Sequence, residues 1–272
     1  MRNFLKDVHI VGGVGVWSEG EIIRHCIENL LKYCDHVFLT MDYSDDKTKG
    51  IVMEYKNKYP EQITVGDTSA RVGPPNRESY PAMMGRQKTF CGDLIQCNFD
   101  MVKEYHEKVK KVDILIFMDS DEILTDNIPN VLEEFWKSTI DTVFIKPIEV
   151  FMDMHIICNK GLVSHAKIYK YVPEISAKPY SQQNFYLPYR RNRNIMKASW
   201  NFCHLARLNT ENRKLRSALR NNQKSDPEMK LRRVSKPAYE LTPKEAEIVD
   251  NSEKFVRLKD WNGEINSVPL VL

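Results

Sequence analysis

Along the first 150 residues, apolar positions alternate between short continuous runs and patterns spaced at helical period. Val8 to Val16 is β-branched and glycine-rich, which predicts a buried strand running into a loop. Ser18 precedes Glu21 at capping-box spacing, just ahead of Ile22, Ile23, Cys26, Ile27, Leu30 and Leu31, and this predicts an amphipathic helix over 19–33. His36 to Met41 reads as a second strand, 46–59 as a helix, and Ile63 to Val65 as a short strand. Gly66 to Pro81, with Gly73-Pro74-Pro75 inside it, reads as loop. A long helix over about 83–109 leads to a strand at Asp113 to Met118, a helix at about 130–138 and a strand at Asp141 to Val150. Such alternation of strands and helices predicts an α/β fold, a mostly parallel sheet flanked by helices, with any ligand at the carboxyl ends of the strands. Beyond residue 160 the pattern weakens to short strands, a proline-marked loop from Pro173 to Pro188 and a basic helix near Glu211 to Asn222.

Composition narrows the class. The chain has 272 residues, 42% of them hydrophobic and 28% charged, which is ordinary globular usage. Apolar runs such as Ile114 to Met118 fall far short of the roughly 18 residues that span a bilayer. The start, MRNFLKDVHI, lacks the apolar run of a signal peptide. Six cysteines without a CxxC pair read as buried small hydrophobes in a reducing compartment, so the expected location is cytoplasmic. The expected organisation is an α/β core over 1–150 and a basic, helical region over 151–272 packed on it as one domain.

Net charge is only +3, but it is unevenly spread. Tyr189 to Lys236 holds fourteen Lys or Arg against Glu211, Asp226 and Glu228, a local +11 that leaves −8 elsewhere. A solvated helical face and a site for an anionic partner are both compatible with that asymmetry.

The chemistry should lie just after strands. After the first comes Gly12-Gly13-Val14-Gly15-Val16-Trp17-Ser18, close to the glycine fingerprint of dinucleotide sites but with Ser18 where the third glycine belongs. A nicotinamide-dependent oxidoreductase, with Asp42 on a ribose, stays open on that pattern. After the fourth strand comes Asp119-Ser120-Asp121-Glu122. Three carboxylates within four residues repel one another unless a cation or strong donors neutralise them. Oxygen ligands of this kind suit a hard divalent ion shared with substrate phosphates. The alternative is that Asp119 or Asp121 caps the helix that follows.

Together these strand ends resemble the GT-A glycosyltransferases of the family-2 type. In that family the first strand leads to a loop with Glu and a helix, as in Val16-Trp17-Ser18-Glu19-Gly20-Glu21-Ile22-Ile23. Met41 to Thr48 matches four of the six defined positions of the D-D-G-S-x-D-x-T pattern, at Asp42, Ser44, Asp46 and Thr48. Asp119-Ser120-Asp121 matches the D-x-D, and Glu122-Ile123-Leu124 continues its D-x-D-E-x-L variant. Gln87-Lys88-Thr89-Phe90 is similar to the family's Q-R-N-F stretch.

The resemblance implies a donor site for a nucleotide-diphosphate sugar, with a UDP-sugar as first choice, and Mn²⁺ or Mg²⁺ as cofactor. Asp42 would bind the base. Glu19, Lys88, Asp119 and Arg207 would belong to the nucleotide site, and Asp121, Asp119 and His204 would hold the metal, with His155 and His165 as competitors for the last place. Transfer to a hydroxyl with inversion needs a carboxylate base. Asp153, ahead of Glu149, is the candidate after the fifth strand. The acceptor would be a glycan, a lipid-linked glycan with peripheral membrane contact, or nucleic acid. In that last case Arg190, Arg191 and Arg193 would meet phosphates beside Tyr186, Tyr189 and Trp200. A nucleic-acid-binding module without catalysis would leave Asp119, Asp121 and Glu122 without a role.

Overall fold

A computed structural model describes residues 5–16, 22–41, 48–68, 80–151, 156–158, 165–177, 185–186, 195–207 and 255–257. Side chains are described within 5–16, 22–41, 48–68, 94–145 and 165–176, and at 197. The chain forms two compact units, interleaved in sequence. One comprises Met1–Asp121, Pro129–Phe144 and His165–Lys197, the other Glu122–Ile128, Ile145–Ser164 and Ala198–Leu272.

In the first unit, β1 (Ile10–Val16), β2 (His36–Met41), β3 (Ile63–Asp67) and β4 (Ile114–Asp119) are parallel in the order β4-β1-β2-β3. Strand β8 (His165–Lys170) runs antiparallel on the other side of β4, and the short strands β9 (Ser176–Ala177) and β10 (Phe185–Tyr186) pair antiparallel with each other, inside the segment expected to be loop. Helices α1 (Ile22–Tyr33), α2 (Thr48–Lys58), α3 (Tyr80–Lys108) and α4 (Ile128–Lys137) make this a mostly parallel α/β unit, as expected. The chain winds outward from β1 to β3, and α3 then returns it to the opposite side of β1. Winding direction therefore reverses between β1 and β4, the place where open α/β sheets bind ligands.

Local chemistry accounts for these elements. Helix α1 buries Ile22, Ile23, Cys26, Ile27 and Leu30, the spacing of one helical face. Strand β2 is buried at every position and β4 at all but its last, as a sheet covered on both faces requires. Helix α3 starts three residues before its expected beginning. Pro81 lies in its first turn, where a missing N–H costs nothing, so a proline read as loop is a helix starter. Strand β3 extends past its expected end because Gly66 and Asp67 pair with Thr40 and Met41.

Helices α1 and α3 cover opposite faces of β1: a Cβ at Gly12 would meet Leu30 and Cys34 Sγ, and one at Gly13 would meet Asn98. Between sheet and α3 lies a core of Val11, Phe38, Ile95, Phe99, Val102, Leu115, Phe117 and Tyr169. At the amino ends of the strands, His9 N donates to Asp113 Oδ2 at 2.7 Å and Ile10 N to Asp35 Oδ2 at 2.9 Å, satisfying strand-entry amides. There the rings of His9, His36 and Phe38 pack around Tyr105, with centroids 4.6–5.7 Å from it.

In the second unit, β7 (Ile156–Cys158) pairs antiparallel with β6 (Thr142–Phe151) and with β12 (Phe255–Arg257). Strand β11 (Ile195–Arg207) pairs antiparallel with β5 (Glu122–Leu124). Strand β5 is too short to leave a periodic signal, and its partner lies far along the chain. The basic helix expected near Glu211 lies outside the described residues.

Candidate active site

Asp119 is the last residue of β4 and pairs in register with Gly15 of β1, which puts it at the carboxyl edge beside the winding reversal. Period-two alternation gives it the face of Leu115 and Phe117, the face that α3 covers. Its side chain keeps 45% of its surface exposed, and Lys167 Nζ donates to its Oδ2 at 3.2 Å. The Lys167 side chain, from β8, is only 5% exposed. The Asp119 carbonyl accepts the Cys26 thiol of α1 at 3.7 Å. Ser120 and Glu122 are buried and Asp121 is half-buried.

Helix capping does not explain these acids. Strand β5 intervenes, and α4 begins only at Ile128, whose N–H donates to Thr125 O at 3.1 Å. The acids stand instead at the end of a buried strand, where a ligand belongs. Lys167 escaped the sequence reading. The signal was a lysine between Ala166 and Ile168 in an otherwise strand-like run, at a position whose alternation faces the core.

Two of the glycines after Ile10, Gly12 and Gly13, have a packing cause. A Cβ at Gly13 would lie 2.5 Å from Asn98 Oδ1 and 2.9 Å from Phe117 Cδ2. Asn98 is fully buried, and its Nδ2 donates to Phe38 O at 2.9 Å, Thr40 Oγ1 at 3.1 Å and Val14 O at 3.3 Å. One amide thus ties α3 to β1 and β2, and it reaches the sheet because residue 13 has no side chain. At Gly15 a Cβ would meet, among the described residues, Leu94 at 3.8 Å, an ordinary contact. Packing thus accounts for Gly12 and Gly13, whereas Gly15, the partner of Asp119 in the sheet, has room for a side chain.

The other expected site residues divide into two groups. Asp42, Glu19 and Asp153 lie outside the described residues, as does His155. Lys88 in α3, Glu149 in β6, and His204 and Arg207 in β11 are described by their backbone. Glu149 is opposite Cys158. His204 is opposite Glu122, the residue after Asp121 in the chain, and Arg207 ends β11. His165 opens β8 and is half-buried. Cys26, Cys34 and Cys97 form no disulfide. No described helix is long and apolar enough to cross a membrane.

Among the described residues no group of three or more His, Cys, Asp or Glu side chains could enclose a metal. The donors at the β4 edge fit a more modest role. One or two carboxylates holding a hard divalent ion, with phosphate and water completing its shell, is the usual arrangement for such ions on nucleotides.

No protein-family model matches the chain. No curated protein matches it either. Among solved structures it is similar to TarS of S. aureus, with 15% identity over 82% of this chain and 42% of that one, at a TM-score of 0.44. It is also similar to glucosyl-3-phosphoglycerate synthase from Mycobacterium tuberculosis in complex with Mn²⁺, UDP and phosphoglyceric acid. There identity is 16% over 51% of this chain and 43% of that one, at a TM-score of 0.30. A third is the 4-diphosphocytidyl-2C-methyl-D-erythritol synthase of Anaerococcus prevotii, 10% identical over 60% of this chain and 70% of that one, at a TM-score of 0.34. The chain thus spans less than half the length of the first two, and at these TM-scores the likenesses decide neither fold family nor activity.

Proposed function

We propose that the chain is a GT-A glycosyltransferase that moves a sugar from a nucleotide-diphosphate donor, UDP-linked as first choice, to a hydroxyl acceptor. One observation carries the reading: Asp119 ends the buried strand β4 beside the winding reversal, with Asp121 two residues on and a buried lysine on its carboxylate. A helix cap, a packing role or a bare acidic surface explains none of these together.

In this reading Asp121, with Asp119, holds Mn²⁺ or Mg²⁺, which when bound stabilises the departing diphosphate. Asp42 binds the base, and Glu19 and Lys88 belong to the nucleotide site. The sugar passes through an oxocarbenium-like state, and a carboxylate takes the acceptor proton, giving inversion. On the family resemblance, Asp153 and Glu149 are the base candidates, His204 a metal-ligand candidate and Arg207 a phosphate contact. The acceptor classes are a glycan, a lipid-linked glycan or nucleic acid, and the local +11 of Tyr189 to Lys236 favours an anionic one. The reading places the protein in the cytoplasm.

The test is release of nucleoside diphosphate from a panel of UDP-, GDP-, dTDP- and CDP-sugars, with Mn²⁺ or with chelator. Metal-dependent release from one nucleotide class, lost in Asp121→Ala, supports the reading. Binding of NAD(P) without metal and without any turnover of nucleotide sugars overturns it.

A further inference from the structure

Lys167 is an ammonium buried to 5% exposure, in a strand whose next residues, Ile168 and Tyr169, are core. Burying a charge is unfavourable even when it is paired, and an apolar pair of similar volume is commonly as stable or more so. The Lys167–Asp119 pair therefore owes little to stability. It stands at the ligand end of the sheet, where the carboxylates crowd.

We propose that Lys167 is the resident cation of the Asp119 and Asp121 site, a positioning residue that holds Asp119 and sets how much negative charge the site offers to a divalent ion and to an incoming diphosphate. The proposal rests on the reading of this site as a nucleotide-sugar site. The 3.2 Å contact fixes one carboxylate oxygen, Oδ2, from the β8 side while the rest of the side chain keeps its solvent-facing surface. The Lys167 ammonium offsets part of the negative charge that Asp119, Asp121 and the buried Glu122 bring to this strand end. A bare divalent ion is then attracted less than by the acids alone, and a diphosphate is repelled less. Such a site takes the ion best together with the phosphates, which supply the missing negative charge and the missing oxygen ligands.

The consequence is a pair of changes of opposite sign. Lys167→Met removes the positive charge that lies 3.2 Å from Asp119 Oδ2. Affinity for Mn²⁺ alone is expected to rise about tenfold, the order for a nearby like charge in a solvent-screened site. Affinity for UDP without metal is expected to fall about threefold or more by the same reasoning. A merely structural lysine would move neither, or lower both through loss of folded protein.

The experiment is calorimetric titration of the full chain and of Lys167→Met with Mn²⁺ alone and with UDP in chelator, after circular dichroism has shown both folded. Tighter Mn²⁺ binding, including its appearance from an undetectable level, supports the proposal. Unchanged or weaker Mn²⁺ binding overturns it. If Lys167→Met does not fold, Lys167→Gln keeps a hydrogen-bond donor for Asp119 while removing the charge, and carries the same expectation. Failure of both variants to fold makes Lys167 a structural residue and overturns the proposal. If the wild type binds no nucleotide under any condition, the glycosyltransferase reading fails while the Mn²⁺ comparison still decides the role of Lys167.

Discussion

Replacing the glycines of β1 one at a time separates a packing role from a ligand role. At Gly13 an added Cβ would sit 2.5 Å from Asn98 Oδ1 and 2.9 Å from Phe117 Cδ2, closer than real Cβ contacts come. Neither neighbour retreats easily. Phe117 is 4% exposed, and Asn98 is held by three acceptors on β1 and β2. Overpacking of this kind costs about 1–3 kcal/mol. Swinging Asn98 away forfeits hydrogen bonds worth about 1 kcal/mol each and leaves buried carbonyls poorly served. Gly13→Ala should therefore destabilise by about 3–5 kcal/mol. At Gly12 the neighbours are Cys34 Sγ at 3.2 Å and the Leu30 methyls at 3.4 Å, side-chain ends that can shift. About 1 kcal/mol is expected there. At Gly15 the Cβ meets Leu94 at 3.8 Å, ordinary contact, and alanine should be neutral or stabilising by up to about 1 kcal/mol through its smaller unfolded-state entropy. Urea unfolding followed by circular dichroism reads this series. With a slope of about 2–3 kcal/mol/M, Gly13→Ala should lower the midpoint by about 1–2 M. If Gly13→Ala unfolds within about 0.2 M of wild type, or Gly15→Ala is the worst of the three, the packing account of the glycine run is wrong and a ligand account returns.

Other consequences can be measured on the same protein. Asp119→Asn removes the carboxylate that pairs with the buried Lys167 ammonium; because Asp119 is 45% exposed, the loss should be about 1–3 kcal/mol, and adding Lys167→Met should recover most of it in a double-mutant cycle by thermal unfolding. Burial holds the His36 imidazole down to about 4, against an opposing hydrogen bond to the Glu61 backbone, with the charges of Lys56 and His9 pushing the same way as burial. The unfolded chain then binds the proton first as pH falls, so stability is full above about 6.5 and declines by about 3 kcal/mol toward pH 4. His36→Gln should flatten that decline relative to wild type, and identical pH profiles would contradict it. Asn98→Asp replaces the donors to Phe38 O, Thr40 Oγ1 and Val14 O with a buried carboxylate, and should cost about 3 kcal/mol or more at pH 7, read as loss of folded signal in urea.

Much of the parallel sheet was legible because its elements are locally self-declaring. His36–Met41 centres on the apolar run Val37-Phe38-Leu39, and α1 carries its apolar residues on one face, so neither needs a distant partner to be recognised. Position along the chain was enough to put Asp119 at a strand end. Contacts across long separations were not legible. Strand β5 exists through its pairing with β11, and Lys167 meets Asp119 only because β8 runs antiparallel beside β4. Gly13 shows the opposite error: a local pattern suggested a ligand, while the cause, Asn98, lies 85 residues away. Pro81 misled for a similar reason, since a proline in the first turn of a helix and one in a loop are the same letter.

The proposed function requires that the carboxyl edge of β4 bind a nucleoside diphosphate through a divalent ion. Its most direct test is calorimetric titration of UDP into the full chain with and without Mn²⁺, with GDP, dTDP and CDP as controls, repeated on Asp121→Ala. The account expects Mn²⁺-dependent binding of one nucleotide, reduced at least tenfold in Asp121→Ala while the thermal midpoint stays within a few degrees of wild type. Binding that ignores both Mn²⁺ and Asp121, or no nucleotide binding beside clear binding of NAD, would contradict it.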